Sequence, residues 1–375
     1  MSNNDHAPER PGNAVPLPRP ATVLLVAFTV VVVLAVAFAY TVVQETAAPA
    51  PPAPAEEEAP APPPRTTDFA VVNAHDHLYR EQDLERYFKA AERTGVVKTL
   101  FVASSKFTLM GNKHAPSEGN VENSLEMLRL AKKYPDKIIP FVTLHPDDDD
   151  KIGLLEQYRA DGAMGLKLYT AHGAFYDRSL LADEMLPVYA WCEANNFPIC
   201  WHVNLTRYAN EFTRVLLKYP KLRIIVPHFG QAYYRPGGKE MQTISKIMDM
   251  YPGVYTDTSF GTRKILVAGL ESVSAKADVV KAFVEKYQDR ILWGTDMVVT
   301  GNKEKTVEWQ AAVLQACRDL LEKDVYYFSM AAADSPYSAR GDANPDGKLR
   351  GLNLPDEVLK KIYETNIEDF FALVP

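Results

Sequence analysis

Cysteine is scarce: Cys192, Cys200 and Cys317 are the only three in 375 residues. That excludes a disulfide framework and leaves room for one bridge at most. Basic residues are not in excess either. Lys and Arg total 41 against 48 Asp and Glu, a net charge of −7, so the cationic stripe that nucleic acid requires is missing. Proline is sparse beyond residue 64, because 13 of the 27 prolines fall in the first 64 positions. No glycine-rich turn follows the first β-rich run, which argues against a dinucleotide-binding open sheet.

What is present divides the chain in two. Residues 21–43 contain no charge over 23 positions. As a helix they would span roughly 34 Å at ~1.5 Å per residue, enough to cross a hydrocarbon core of about 30 Å. A cleaved signal peptide is the lesser alternative, since its apolar run is usually only about 7–15 residues. Arg10 and Arg19 precede the run, and Glu45 and Glu56–Glu58 follow it. This bias makes residues 1–20 a short cytoplasmic tail and places the bulk of the chain outside, tethered as a single-pass membrane protein. Residues 44–66 are a Pro/Ala-rich linker, extended and without a core. Residues 67–375 then form the globular domain.

In that domain eight β-rich runs alternate with amphipathic helical stretches: 69–77, 96–104, 137–144, 163–169, 197–203, 222–228, 254–259 and 291–296. Most are near-continuous apolar runs, the pattern of parallel strands covered on both faces. Tyr134-Pro135, Tyr219-Pro220 and Tyr251-Pro252 read as helix stops. Eight strand–helix units predict an α/β fold, a (β/α)8 TIM barrel.

Six of the eight histidines, His75, His77, His145, His172, His202 and His228, fall at or just past the carboxyl end of a predicted strand. Barrel active sites are built at that face. His75 and His77 stand at i and i+2, so strand alternation turns both to one side, where they can chelate one cation. With His202, His228 and Asp296 they make a nitrogen and oxygen set suited to Zn²⁺ first, or to Mn²⁺ or Fe²⁺. Cys200 lies on the same strand face as His202, but a buried apolar cysteine is the better reading than a nucleophile.

The segments "NAHDH", "WHVN", "PHFG" and "WGTD", in that order on those strands, resemble the amidohydrolase superfamily. The likeness is to the branch that contains metal-dependent decarboxylases similar to aminocarboxymuconate-semialdehyde decarboxylase, and "LPDEVLKKIYETNIEDFF" looks like its closing helix. The resemblance implies one divalent metal held by His75, His77, His202 and Asp296, with His228 free for acid–base work. Two-metal members imply a second arrangement, in which a carbamylated Lys167, from "GLKLY", bridges two ions and His228 joins the second. Either way the implied activity is hydrolysis of an amide, lactone or related bond by a metal-activated water. Asp296 would take the proton, while His228 polarises the carbonyl oxygen. A non-oxidative decarboxylase is the alternative within enzymes, and a catalytically inactive barrel serving as a binding module is the alternative outside them. Arg207, Arg263, Arg235, Lys106 and Lys113 follow strands and suggest an anionic small-molecule substrate. Tyr169 and His172 are further candidates to touch it. The sequence leaves a homodimer open.

Overall fold

The computed structural model describes residues 69–110, 113–169, 178–261, 263–330, 344 and 346–372. The expected membrane helix over 21–43 and the linker over 44–66 lie outside these residues. Among the described residues no helix is long and apolar enough to cross a membrane.

Nine strands form one parallel sheet: β1 Val71–Leu78, β2 Val96–Val102, β3 Ile138–Thr143, β4 Gly165–Tyr169, β5 Ile199–His202, β6 Ile224–Val226, β7 Val254–Asp257, β8 Ile291–Leu292 and β9 Met297–Val299. Their spatial order is β8-β7-β6-β5-β4-β3-β2-β1-β9. Because β8 and β9 are successive pieces of one strand, this order curls the sheet into the expected barrel. Bonds from Ala74 N to Trp293 O (2.7 Å) and from Asp296 N to His75 O (2.7 Å) knit the seam between the two pieces.

All the strands are shifted or shortened, most by a residue or two, relative to the sequence reading, and two of the differences bear on the site. The sixth stops at Val226 rather than at 228, because Pro227 cannot donate to a ladder and the chain then turns left-handed. The eighth is broken at residues 293–296, where Asp296 itself has φ 56°. Both breaks occur where a side chain is delivered to the barrel mouth.

Around the sheet lie α1 Leu84–Arg93, α2 Asn120–Lys133, α3 Lys151–Ala160, α4 Leu186–Ala194, α5 Leu205–Lys218, α6 Lys239–Met250, α7 Arg263–Ala275, α8 Ala277–Lys286 and α9 Val307–Glu322. Side-chain caps start several of them. Asp150 accepts from Gly153 N (2.9 Å), Asn204 from Arg207 N (3.2 Å) and Thr306 from Trp309 N (3.1 Å), each satisfying an orphan donor of the first turn. Tyr134, Tyr219 and Tyr251 are the C-caps of α2, α5 and α6, each stopped by the proline that follows. A short antiparallel pair, β10 Val325–Tyr327 and β11 Lys348–Arg350, lies outside the barrel sheet.

The barrel interior is filled by Leu100, Val102, Ile139, Phe141, Ile225, Tyr255 and Leu292. Its amino-terminal end is plugged by Ile367 and Phe370 of the last helix, Asn366–Ala372. Arg223, just before β6, holds that plug. Its guanidinium donates to Phe370 O (2.6 Å) and Phe371 O (3.2 Å), and also to Asn196 O. Charge-assisted bonds of this kind contribute about 1.5–3 kcal/mol. Arg223→Ala is accordingly expected to lower stability by about 2 kcal/mol, read as a reduced denaturant midpoint. An unchanged midpoint would show that the plug is held by its apolar contacts alone.

Candidate active site

β1 carries a bulge that sets up the site. Its register against β2 jumps between Asn73 and Asp76, so Ala74 joins the interior apolar cluster while the next residue, His75, also faces inward. His77 follows on the same face. Asp76 points the other way and staples the seam, accepting from Thr295 Oγ1 (2.5 Å), Met297 N (2.7 Å) and Asn73 Nδ2 (2.7 Å). Burial raises its pKa to about 7.

Four strands deliver the remaining groups. β4 contributes Lys167, fully buried, with Nζ 2.9 Å from His75 Nε2 and 3.4 Å from Cys200 Sγ. The turn after β6 contributes His228. Residues 228–231 all have positive φ, between 52° and 70°. This left-handed turn costs roughly 1–2 kcal/mol for each non-glycine member, and a bond from His228 N to Asp257 Oδ1 (2.9 Å) helps to hold it. β7 ends in Asp257. The break in strand eight presents Asp296.

The result is a carboxylate ringed by imidazole nitrogens. Asp296 lies 2.7 Å from His77 Nε2, 3.5 Å from His75 Nε2 and 3.7 Å from His228 Nε2. His75, His77 and Asp296 place their ligand atoms within 4.8 Å of one another. Asp296 Oδ1 is shielded from solvent and meets no well-aligned donor, although His77 Nε2 lies 2.7 Å away. An acceptor left unsatisfied against converging nitrogens is the arrangement a divalent cation completes, and the donor set fits Zn²⁺, Mn²⁺ or Fe²⁺.

Electrostatics agree with a cation site. Burial holds the His77 pKa down to about 4 and lowers that of His228, which favours the uncharged, ligating form of each ring. Burial alone would raise Asp296, but His75, His77 and His228 outweigh it and hold the carboxyl well below its usual range. Asp257 behaves in the same way, burial being overcome by His75 and His228. A second close group, His75, His228 and Asp257, is bonded internally: Asp257 Oδ2 meets His75 Nδ1 at 2.9 Å, and Ser259 Oγ meets His228 Nδ1 at 2.8 Å. These contacts orient the rings from behind.

His75, His77, Lys167, His228, Asp296 and Tyr169 are thus brought together as the sequence predicts. Tyr169 is buried beside the His77 ring. Its hydroxyl bonds Ser104 Oγ, which lies 2.7 Å from His77 Nδ1. His202 sits on the inward face of β5 with its ring 4.8 Å from that of His228, outside both close groups. Arg207 and Arg263 are exposed, in the first turns of α5 and α7. Lys106 pairs with Glu118 at 3.2 Å, and His172 lies outside the described residues. His145 caps a turn, its Nδ1 accepting from Asp147 N (3.1 Å). Cys200 is fully buried and its thiol is pushed up to about 12 by burial, which removes it as a nucleophile. Sequence reasoning missed Asp257, Ser259 and Ser104. Asp257 had a signal: an acid at the carboxyl end of an otherwise apolar strand.

Comparison with known proteins sets this site in context. No curated protein matches the chain. A probable 2-pyrone-4,6-dicarboxylic acid hydrolase from Acinetobacter baumannii is similar over 81% of this chain and 99% of its own, at 13% identity and a TM-score of 0.52. An amidohydrolase from Burkholderia multivorans is similar over 81% and 100%, at 10% identity and a TM-score of 0.53. A 5-carboxyvanillate decarboxylase from Novosphingobium aromaticivorans is similar over 82% and 97%, at 13% identity and a TM-score of 0.49. These likenesses concern the fold. Residues 102–373 match the amidohydrolase family, and a match spanning most of the length, from the end of β2 through the last helix, means that the chain belongs to it.

Proposed function

We propose that the protein is a metal-dependent hydrolase cleaving an amide, lactone or related bond of a small anionic substrate. The observation that carries this reading is the convergence of His75, His77 and Asp296, with Asp296 Oδ1 buried and without a well-aligned donor. A bound divalent cation supplies Lewis-acid polarisation of a carbonyl and an acidified water. His75, His77 and Asp296 would hold it, with His202 and His228 beside them. Asp296, kept ionised by its histidine neighbours, accepts the water's proton and passes it to the leaving group. His228 Nε2, 3.7 Å from Asp296 Oδ2, is placed to exchange a proton with it. The exposed Arg207 and Arg263 would meet the substrate's carboxylate, and residues 21–43 would tether the barrel on the outer side of a membrane.

Charge balance supports one ion per chain. Asp257 and Asp296 are both ionised, and one divalent cation balances the two carboxylates. A carbamylated Lys167 adds negative charge and calls for a second ion. Metal analysis of the full chain, followed by a panel of lactones, amides and carboxylated acids, tests the reading. Chelation is expected to abolish turnover and Zn²⁺ or Mn²⁺ to restore it, with one ion bound. Two ions per chain would assign the carbamate. Full activity in metal-free protein, or CO₂ release as the only reaction, would overturn the hydrolase.

A further inference from the structure

The protons behind His75 and His228 are assigned by their partners, and the consequence deepens the metal-site reading on which it rests. Asp257 is fully buried and meets four groups. His75 Nδ1 lies 2.9 Å from Oδ2, while His228 N (2.9 Å), Ser259 N (3.0 Å) and Ser259 Oγ (2.5 Å) converge on Oδ1. Two of these are backbone N–H groups that can only donate, and a carboxylate facing such donors can only accept. The single hydroxyl proton of Ser259 is therefore committed to Asp257. Its lone pairs are left for His228 Nδ1 at 2.8 Å and, at 3.3 Å, for His75 Nδ1, while Ser259 O, at 3.2 Å from the His228 nitrogen, also only accepts. Nδ1 of His228 must carry a proton, and so must Nδ1 of His75. A neutral imidazole protonated at Nδ1 is bare at Nε2.

We propose that Asp257 and Ser259 are positioning residues that lock both His75 and His228 in the Nδ1–H tautomer, aiming two bare Nε2 atoms at the point occupied by Asp296. His75 is thereby a ready ligand, and its Nε2 already accepts from Lys167 Nζ at 2.9 Å. His228 becomes a proton acceptor in turnover, not a donor to a carbonyl oxygen. His77 is held differently. Its Nδ1 faces Ser104 Oγ, whose proton has a choice among His77, Tyr169 Oη and Val102 O, so the tautomer of His77 is not dictated from behind.

The test is long-range nitrogen–proton NMR on the full chain labelled with nitrogen-15 at histidine only, first without metal and then with Zn²⁺. The wild type is expected to show protonated Nδ1 and bare Nε2 at His75 and His228, assigned through His75→Gln and His228→Gln. Asp257→Asn can turn an amide donor toward His75, so it should shift that ring toward Nε2–H and weaken Zn²⁺ binding by about 10–100-fold. Ser259→Ala should alter the His228 signals more than those of His75, whose Nδ1 lies 3.3 Å from the hydroxyl against 2.8 Å for His228, and Ser259→Thr, which keeps the hydroxyl, should restore them. Nε2–H rings in the wild type would overturn the proposal, as would tautomers and Zn²⁺ affinity unmoved by Asp257→Asn. If the wild type shows the expected tautomers but binds no Zn²⁺, the positioning role stands and the metal reading falls.

Discussion

Asp296→Asn is expected to reduce turnover by roughly 10³-fold, the scale on which loss of a general base or of a key transition-state charge is felt. The substitution keeps the size of the side chain but removes the acceptor charge that faces His75, His77 and His228. An amide can offer one oxygen to a cation, yet it cannot take the proton of a water. The bond from Asp296 N to His75 O belongs to the backbone and survives the change, so the barrel seam is retained. Circular dichroism and the unfolding midpoint should match the wild type, or rise slightly once a buried charge is gone. Metal content should fall together with kcat, because the same oxygen serves both purposes. A variant retaining more than a tenth of wild-type kcat would remove Asp296 from the chemistry.

Gly230→Ala should be strongly damaging for a single added methyl group. Gly230 sits at φ 65° inside the left-handed turn, and an added Cβ would lie 2.5 Å from Ile244 Cβ on α6. A branched carbon on a packed helix cannot swing aside as a side-chain tip can. Overpacking costs about 1–3 kcal/mol, and the left-handed conformation adds roughly 1 kcal/mol for an L side chain, so a loss near 3 kcal/mol is expected. The helix or the turn must shift, and the turn carries His228. Activity should therefore fall beyond what the lost stability explains. Gly162→Ala is the control, since Gly162 also has positive φ, at 105°, but nothing within 4 Å of an added Cβ. That variant should lose only the conformational share, near 1 kcal/mol. Equal losses in the two variants would show that packing against Ile244 is not the cause.

The sequence was a good guide wherever one residue type has one favoured use. Apolar runs, several of them preceded by Tyr-Pro or glycine, located all eight strands, because burial on both faces leaves a strand little choice of side chain. Histidines at strand ends marked the mouth, and His75, His77, His228 and Asp296 do meet there. What escaped notice depends on partners rather than on type. Ser104 and Ser259 look like any other serine until their neighbours assign the proton. Asp257 hid among threonines in "VYTDTS". The two misread strand ends at the site share a cause: Pro227 and the positive φ of Asp296 override apolar patterning just where the backbone must re-aim a side chain. The bulge in β1 is a further instance. Simple alternation could not place Ala74 and His75 on one face, and only the jump in register against β2 does so.

The broken eighth strand ties architecture to chemistry. β1 supplies His75 and His77, the residues just before β9 supply Asp296, and these two segments, more than two hundred positions apart, are the ones whose hydrogen bonds close the cylinder. An opened barrel with this stitching undone would keep eight strands, β1 to β8, in register, yet it could not hold an imidazole pair and a carboxylate around a common centre. Ring closure and assembly of the reactive centre are one structural event, so the finished circumference of the barrel is itself a precondition for catalysis.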